Sequence, residues 1–485
     1  MSARKSILAL VLVVALIAGS WVQGRLNNDR ERLGLTRTAV ISNAPPVLAF
    51  TTVALGGFRG IIANLLWIRT SDLQEDGKYF EAVQLADWIS KLQPHFTQVW
   101  INQAWNMAYN ISVKFPNPDD RWLWVQRGIE LLRDQGLLYN PNQALMYREL
   151  AWFFQHKMGA NLDDAHWVYK TEWAKAMDAV IPGGHPNYDD LLHPRTQEAS
   201  NRVAILSDRY KMAPLMMKKV DDTYGPLEWR LPETHAIYWA MVGIENSPDQ
   251  DKLPLRRTIY QPMLTALQRG RIVTNRFARR IEVVANLDMI PNASRAYEDA
   301  MKADAANAEH IGTGHRNFLK DAIYFLWANN RTADARKWFN HLVKLYGLGP
   351  QSGIAEGTSM EDFALSKVSE DVNETSRDRV TALLLGFISQ SYLNLAMGED
   401  DQAIGLERMA SRIHQNYRIR TTHPASAVRV ELPPLDVIKQ NVLRDMLAPS
   451  TNTNPEFQAV LRTKLNLPAD FGRSPTNAPV KAPAP

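Results

Sequence analysis

The chain has no cysteine. That absence excludes disulfide staples, thiolate metal centres, cysteine nucleophiles and a lipid-modified cysteine behind a signal peptide, while leaving the compartment open. A large excess of charge of either sign is missing as well. A formal +4 over 485 residues argues against a dedicated nucleic-acid surface, which shows as a strong basic excess on one face. Catalytic signatures are also missing. No His-Glu-x-x-His pair and no Gly-x-Ser-x-Gly elbow occurs, Gly77-Lys78 lacks the upstream glycines of a phosphate loop, and Gly312-Thr313-Gly314 is too short to cradle a phosphate. No cofactor is expected.

What remains is ample core-forming material: 45% hydrophobic and 22% charged residues, ordinary values for a folded protein. A chain of 485 residues exceeds what one core usually holds, so several domains or a linear stack of helical repeats is expected, the stack being favoured.

The first residues bear on location. Arg4 and Lys5 precede an apolar run from Ile7 to Ala18, extended to Trp21 and Val22, before Arg25 opens a polar segment. The 16 residues Ile7 to Val22 fall just short of the roughly 17–25 that span a bilayer, and Trp21 suits an interface. An uncleaved signal anchor over 1–22 is the preferred reading; a secretory signal cleaved near Ser20 is the alternative. Either places the body outside the cytoplasm, the anchor giving a single-pass inner-membrane protein. A linker over 23–46 ends at Ala44-Pro45-Pro46.

A second apolar stretch, Val47 to Ile68, contains Gly56-x-x-x-Gly60 but also Arg59. A mid-membrane arginine costs roughly 2.5–3.5 kcal/mol, so the preferred reading is that Ile61 to Glu75 is a first repeat helix. A second span would instead turn the body to the cytoplasm.

From there small and aromatic residues recur at fixed offsets. Ala82 and Pro94 are followed by Trp100 and Ala104, and Pro141 by Tyr147, Leu150, Ala151 and Phe154; Asn330 to Ala335 with Phe339 and Leu342, and Gly398 to Ala403 with Ala410, fit again. A small residue at each crossing lets two helices nest, and a proline ends the second. The chain thus resembles tetratricopeptide-repeat (TPR) proteins over roughly 60–180 and 295–420. The strings Leu55-Gly56-Gly57-Phe58-Arg59-Gly60, Leu85-Ala86-Asp87-Trp88-Ile89, Ala104 to Asn110 and Tyr224 to Arg230 are similar to those of a group of bacterial, membrane-associated repeat proteins. The resemblance implies an all-α, TPR-like α-solenoid of antiparallel helix pairs whose concave face grips peptides or proteins, and an envelope setting. The expected organisation is helical repeats over 47–180, an irregular loop-rich helical section over 181–257, a helical section over 258–472 and a disordered tail over 473–485.

Candidate chemistry is sparse. His185 and His193 bracket Asp189 and Asp190, but lie in a loop where turn formation is the commoner role. His310 and His315 are five apart, do not share a helical face, and are expected to be solvated. Glu228 and Glu233 are the least arbitrary pair for acid–base cleavage of a glycan. Between Arg256 and Arg280 stand seven arginines (Arg256, Arg257, Arg269, Arg271, Arg276, Arg279, Arg280) and no acid. Forked guanidinium hydrogen bonds suit an anionic lipid, an anionic polymer or an acidic protein, although exposed helices are normally charged. Trp100, Trp105, Trp122, Trp124 and Trp152 suit interhelix core better than a sugar groove, whereas Trp229 and Trp239 lie outside the regular repeats and are the better binding candidates. The reading is therefore a membrane-anchored scaffold, without catalysis, that holds other envelope proteins. Its rivals are a glycan-acting envelope enzyme and an obligate subunit of a larger membrane complex.

Overall fold

Apolar residues spaced three and four apart, interrupted by turn residues, dictate helices that must bury one face against a neighbour. The computed structural model describes residues 3–32, 58–248, 251–275, 277, 280–349, 352–367, 377–421, 432–448, 454–468 and 471, and these are predominantly helical. The sequence-based expectations for 33–57 (most of the linker and the start of the second apolar stretch) and for the tail 473–485 lie outside the described residues.

The first helix, α1 (Ala3–Arg32), continues through residues assigned to the linker. Among its described side chains Val11, Val13, Val14, Leu16, Ile17, Trp21, Val22 and Leu26 are all exposed. Helices α2 (Phe58–Glu75) and α3 (Tyr79–Leu92) then form an antiparallel pair around Ala63, Ala86, Ile89 and Val99, with Leu66 and Trp67 beside them. The turn between them needs Gly77 at φ 74°, a conformation glycine adopts without a Cβ penalty.

Helix α4 (Thr97–Trp105) follows Pro94 and continues as a π-helical turn over Asn106–Ile111. Ala104, at the crossing, is fully buried, and the site of a Cβ on Gly128 lies 2.9 Å from the Ala104 carbonyl. Helix α5 (Pro118–Glu130) starts where the Asn117 side chain accepts from the Asp119 N–H at 3.0 Å and Pro118 occupies the first turn, a strong N-terminal signal. Helix α6 (Ala144–Trp152) follows Pro141 and runs into another π-helical segment, Phe153–Gly159.

Helix α7 (His166–Asp178) and helix α8 (Pro214–Tyr224) lead to the most buried element, α9 (Pro232–Asn246). Every residue of α9 from Pro232 to Met241 is buried, as expected of a helix surrounded on all sides. The loop-rich section 181–257 thus supplies the axis of the main core. Helix α10 (Lys252–Arg269) packs on it.

The stretch 258–472, expected to be a helical, TPR-like section, also contains an antiparallel hairpin. Strands β1 (Arg271–Asn275) and β2 (Arg280–Val284) pair with Ile272 opposite Val283 and Thr274 opposite Ile281. The β-branched residues of both segments suit a pleated surface and override the helical expectation.

Helices resume with α11 (Ile290–Ala303), α12 (Ala308–Ala328) and α13 (Thr332–Tyr346), then α14 (Arg377–Met397), α15 (Asp400–Thr421), α16 (Leu435–Leu447) and α17 (Pro455–Lys464). Among the described residues the helix window long and apolar enough to cross a bilayer is Val380–Met397 in α14. Its Val380, Leu384, Ile388, Tyr392 and Ala396 are buried at the spacing of a single helix face turned to the core. A shorter apolar stretch, Val13–Leu26, lies in α1.

Candidate functional site

Helix α7 is two-faced. Tyr169, Trp173 and Met177 face the core, while Trp167, Thr171, Ala174 and Asp178 recur at helical spacing along the other side and line a cavity of about 860 Å³. The opposite wall is the hairpin. Because strand side chains alternate, Ile272 and Thr274 of β1 and Ile281 and Val283 of β2 share one face, and all four line the same cavity. Val273 and Asn275 alternate to the other face and are buried, Asn275 donating to Glu282 Oε1 at 2.7 Å. The result is a slot with a helix wall and a sheet wall, to whose lining Lys175, Asp178 and Arg230 add charge.

Arg230 is held rigidly in that lining. Its guanidinium grips both Glu228 oxygens at 2.8 Å and donates to Asp178 Oδ1 at 2.9 Å. These bonds raise its pKa, the Glu228 contact contributing most. The Glu228 carboxylate is therefore committed to a structural fork.

Behind α7 lies a buried ionic network. Lys170 donates to Asn161 Oδ1 at 2.8 Å and stands 3.0 Å from His166 Nδ1. Burial, reinforced by the nearby Arg269 charge, lowers its pKa to about 8. Arg269 donates to the Gly159 carbonyl at 2.6 Å and to Asn161 at 3.1 Å, and its Nε lies 3.4 Å from Glu233 Oε1. Burial raises the Glu233 pKa against the pull of Arg269. Alongside, Lys157 meets Asp163 at 2.5 Å and Tyr169 donates to the same carboxylate at 3.1 Å. Burial works to raise the Asp163 pKa, yet those bonds hold it at about 2. Charges paired this way lock the loop at 160–165 to α7 and α10.

A smaller cavity of about 490 Å³ lies between Trp105, Arg148, Glu149 and Trp152 on one side and Leu253, Pro254, Arg257 and Thr258 on the other.

The described arginine side chains of the run are dispersed. Arg256 lines a small cavity with Tyr224, Tyr260 and Tyr297, Arg257 borders the aromatic cavity, Arg269 is spent in the interior network, and Arg271 grips Glu399 at 3.1 and 2.5 Å. Arg276 and Arg279 lie outside the described residues; Arg280 pairs through its backbone with Asn275, and its side chain lies outside the description. Trp229 and Trp239 are core residues, not surface anchors: Trp229 is fully buried and donates to Asp221 at 3.0 Å. Glu228 and Glu233 are each tied to a different arginine. His315, expected in solvent, is buried between Ser294 and Tyr346 at 2.9 and 2.8 Å, and burial lowers its pKa to about 4. Among the described residues no group of histidines and carboxylates is arranged to hold a metal. The slot residues Thr171, Thr274, Ile272 and Ile281 were missed, though the Trp167-Thr171-Ala174-Asp178 stripe was readable.

No protein-family model matches the chain, and neither a curated protein nor a solved structure is similar to it.

Proposed function

We propose that this chain is a TPR-like helical scaffold, tethered to the cytoplasmic membrane by α1 with its body on the outer side, that holds an extended segment of another envelope protein. The observation supporting it is the slot between α7 and the hairpin. Its walls present apolar side chains in two different repeats, period 2 on the sheet and a helical stripe opposite, with threonine hydroxyls on both walls. An extended polypeptide offers alternate side chains to such walls and polar main-chain groups to such hydroxyls. Rigid walls lower the ordering cost of binding, and the ionic network behind α7 supplies that rigidity. The exposed apolar side chains of α1 support the tether, since a bilayer interior would cover them.

The test is site-specific photocrosslinking in intact cells, with a benzoylphenylalanine placed at Thr171 or Thr274 and, as a control, at the exposed Leu162. Slot positions should trap one discrete envelope protein that Leu162 does not. Identical adduct patterns from all three positions would refute the slot as the holding site.

A further inference from the structure

The cavity between α6 and the start of α10 carries a different chemistry from the slot. Two indoles line it, and each is braced from behind. The Trp105 ring stacks on Tyr109 at 4.2 Å and 17°, and the Trp152 ring stacks on His156 at 4.5 Å and 13°. Phe153 meets both Trp105 and Tyr109 edge-on, which fixes the Trp105 indole, while the stack on His156 holds that of Trp152. A rigid aromatic loses little entropy on binding.

Beside the Trp105 indole sits a fixed acceptor. Trp105 Nε1 donates to Glu149 Oε2 at 2.9 Å, and Arg148 Nη2 donates to Glu149 Oε1 at 2.9 Å. The carboxylate thus keeps a set orientation while retaining lone pairs for further donors. On the facing side Arg257 and Thr258 border the cavity. Arg257 is exposed and reaches Asn307 at 3.5 Å, the outer limit of a hydrogen bond. Two guanidiniums and one carboxylate line the space, which leaves one positive charge over. Its volume of about 490 Å³ falls in the ~300–1,000 Å³ range of small-molecule sites.

A ligand that uses all of these features needs an apolar flat face for the indoles, hydroxyls for Glu149, and a negative charge for the surplus arginine. A hydrocarbon lacks the hydroxyls and the charge; a neutral sugar lacks the charge. A pyranose with an acidic substituent has all three, because its C–H face is apolar, its rim is hydroxylated and its acid group pairs with a guanidinium fork. We propose that the Trp105–Trp152 cavity binds one sugar ring bearing an anionic group, as a unit of an acidic glycan or as a sugar phosphate. The site is independent of the slot and of any protein held there.

The experiment uses the full-length chain in detergent, labelled with fluorotryptophan and followed by fluorine NMR, with the Trp105 and Trp152 resonances assigned from Trp105→Phe and Trp152→Phe. The probes are methyl glucuronide, glucose phosphate and uncharged methyl glucoside. At least one charged probe should shift both resonances saturably, and the uncharged glucoside should bind at least about tenfold more weakly, the effect of one charge-assisted hydrogen bond. A response to glucuronide alone assigns the carboxylate form, and a response to the phosphate alone assigns the ester. Arg257→Gln, a surface change that leaves Glu149 and both indoles in place, should weaken binding about tenfold. Arg148→Gln should weaken it too. Unmoved resonances with both charged probes, equal binding of the uncharged glucoside, or undiminished affinity in both arginine variants would overturn the proposal.

Discussion

Gly405 and Gly386 sit one helix apart and should respond to the same substitution with opposite signs. At Gly405, in α15, a Cβ would stand 1.4 Å from the Ala328 carbonyl oxygen and 2.4 Å from its carbon, because α15 crosses the last turn of α12 backbone to backbone. Arg408 pins that crossing, donating to the Trp327 carbonyl at 3.4 Å, to Thr332 at 3.1 Å and to Asn330. An added methyl needs the helices to separate by about 2 Å to reach ordinary contact, and the obstacle is main chain that cannot rotate away. Overpacking costs about 1–3 kcal/mol where side chains can yield, so Gly405→Ala should cost about 3 kcal/mol or more. At Gly386, in α14, nothing lies within 4 Å of the added Cβ, and Gly386→Ala should stabilise by about 0.5–1 kcal/mol through lost freedom of the unfolded chain. A long helical stack need not unfold in one step, so hydrogen exchange read helix by helix is the assay. Protection in α12 and α15 should fall by about a hundredfold in Gly405→Ala, while protection in α14 rises a few-fold in Gly386→Ala. Unchanged protection in Gly405→Ala would refute the close crossing.

Two further outcomes follow from buried groups. Lys170 releases its proton near pH 8 in the folded chain, whereas an unfolded lysine holds it to about pH 10.4. The unfolded state therefore binds more protons in between, and stability should rise with pH from about 8 to about 9.5, before unfolded tyrosines begin to ionise. The urea midpoint should climb over that window in the natural chain and climb less steeply in Lys170→Met, the remaining slope coming from Lys157 and Lys320, whose pKa values burial also lowers; parallel slopes would sink this assignment. Trp229→Ala removes a fully buried indole that packs edge-on against His235 and Tyr238, and should cost about 3–5 kcal/mol. A melting temperature equal to that of the unsubstituted chain would return Trp229 to the surface.

Much of the helical grammar was readable because it is local. Pro94 and Pro141 mark helix ends by their own stereochemistry, and Ala104 sits at a crossing that excludes larger side chains. The hairpin was not read, since its strands are five residues each and lie inside an arginine-rich run that suggested solvated helix faces. Yet Ile272-Val273-Thr274 and Ile281 with Val283-Val284 carried the β-branched signal. The separate destinations of two of the arginines were beyond reach for a different reason: Arg269 meets Gly159, and Arg271 meets Glu399, across separations that only tertiary packing sets. The same holds for Lys170 and Glu233, whose shared environment arises from the meeting of α7 with α9.

The Arg271–Glu399 bridge leaves β1 from the side opposite the slot and ends in the turn between α14 and α15. Strand and turn are thereby joined like the two ends of a lever. Any displacement of the hairpin from α7 would therefore have to stretch or break a charge-assisted fork anchored between α14 and α15.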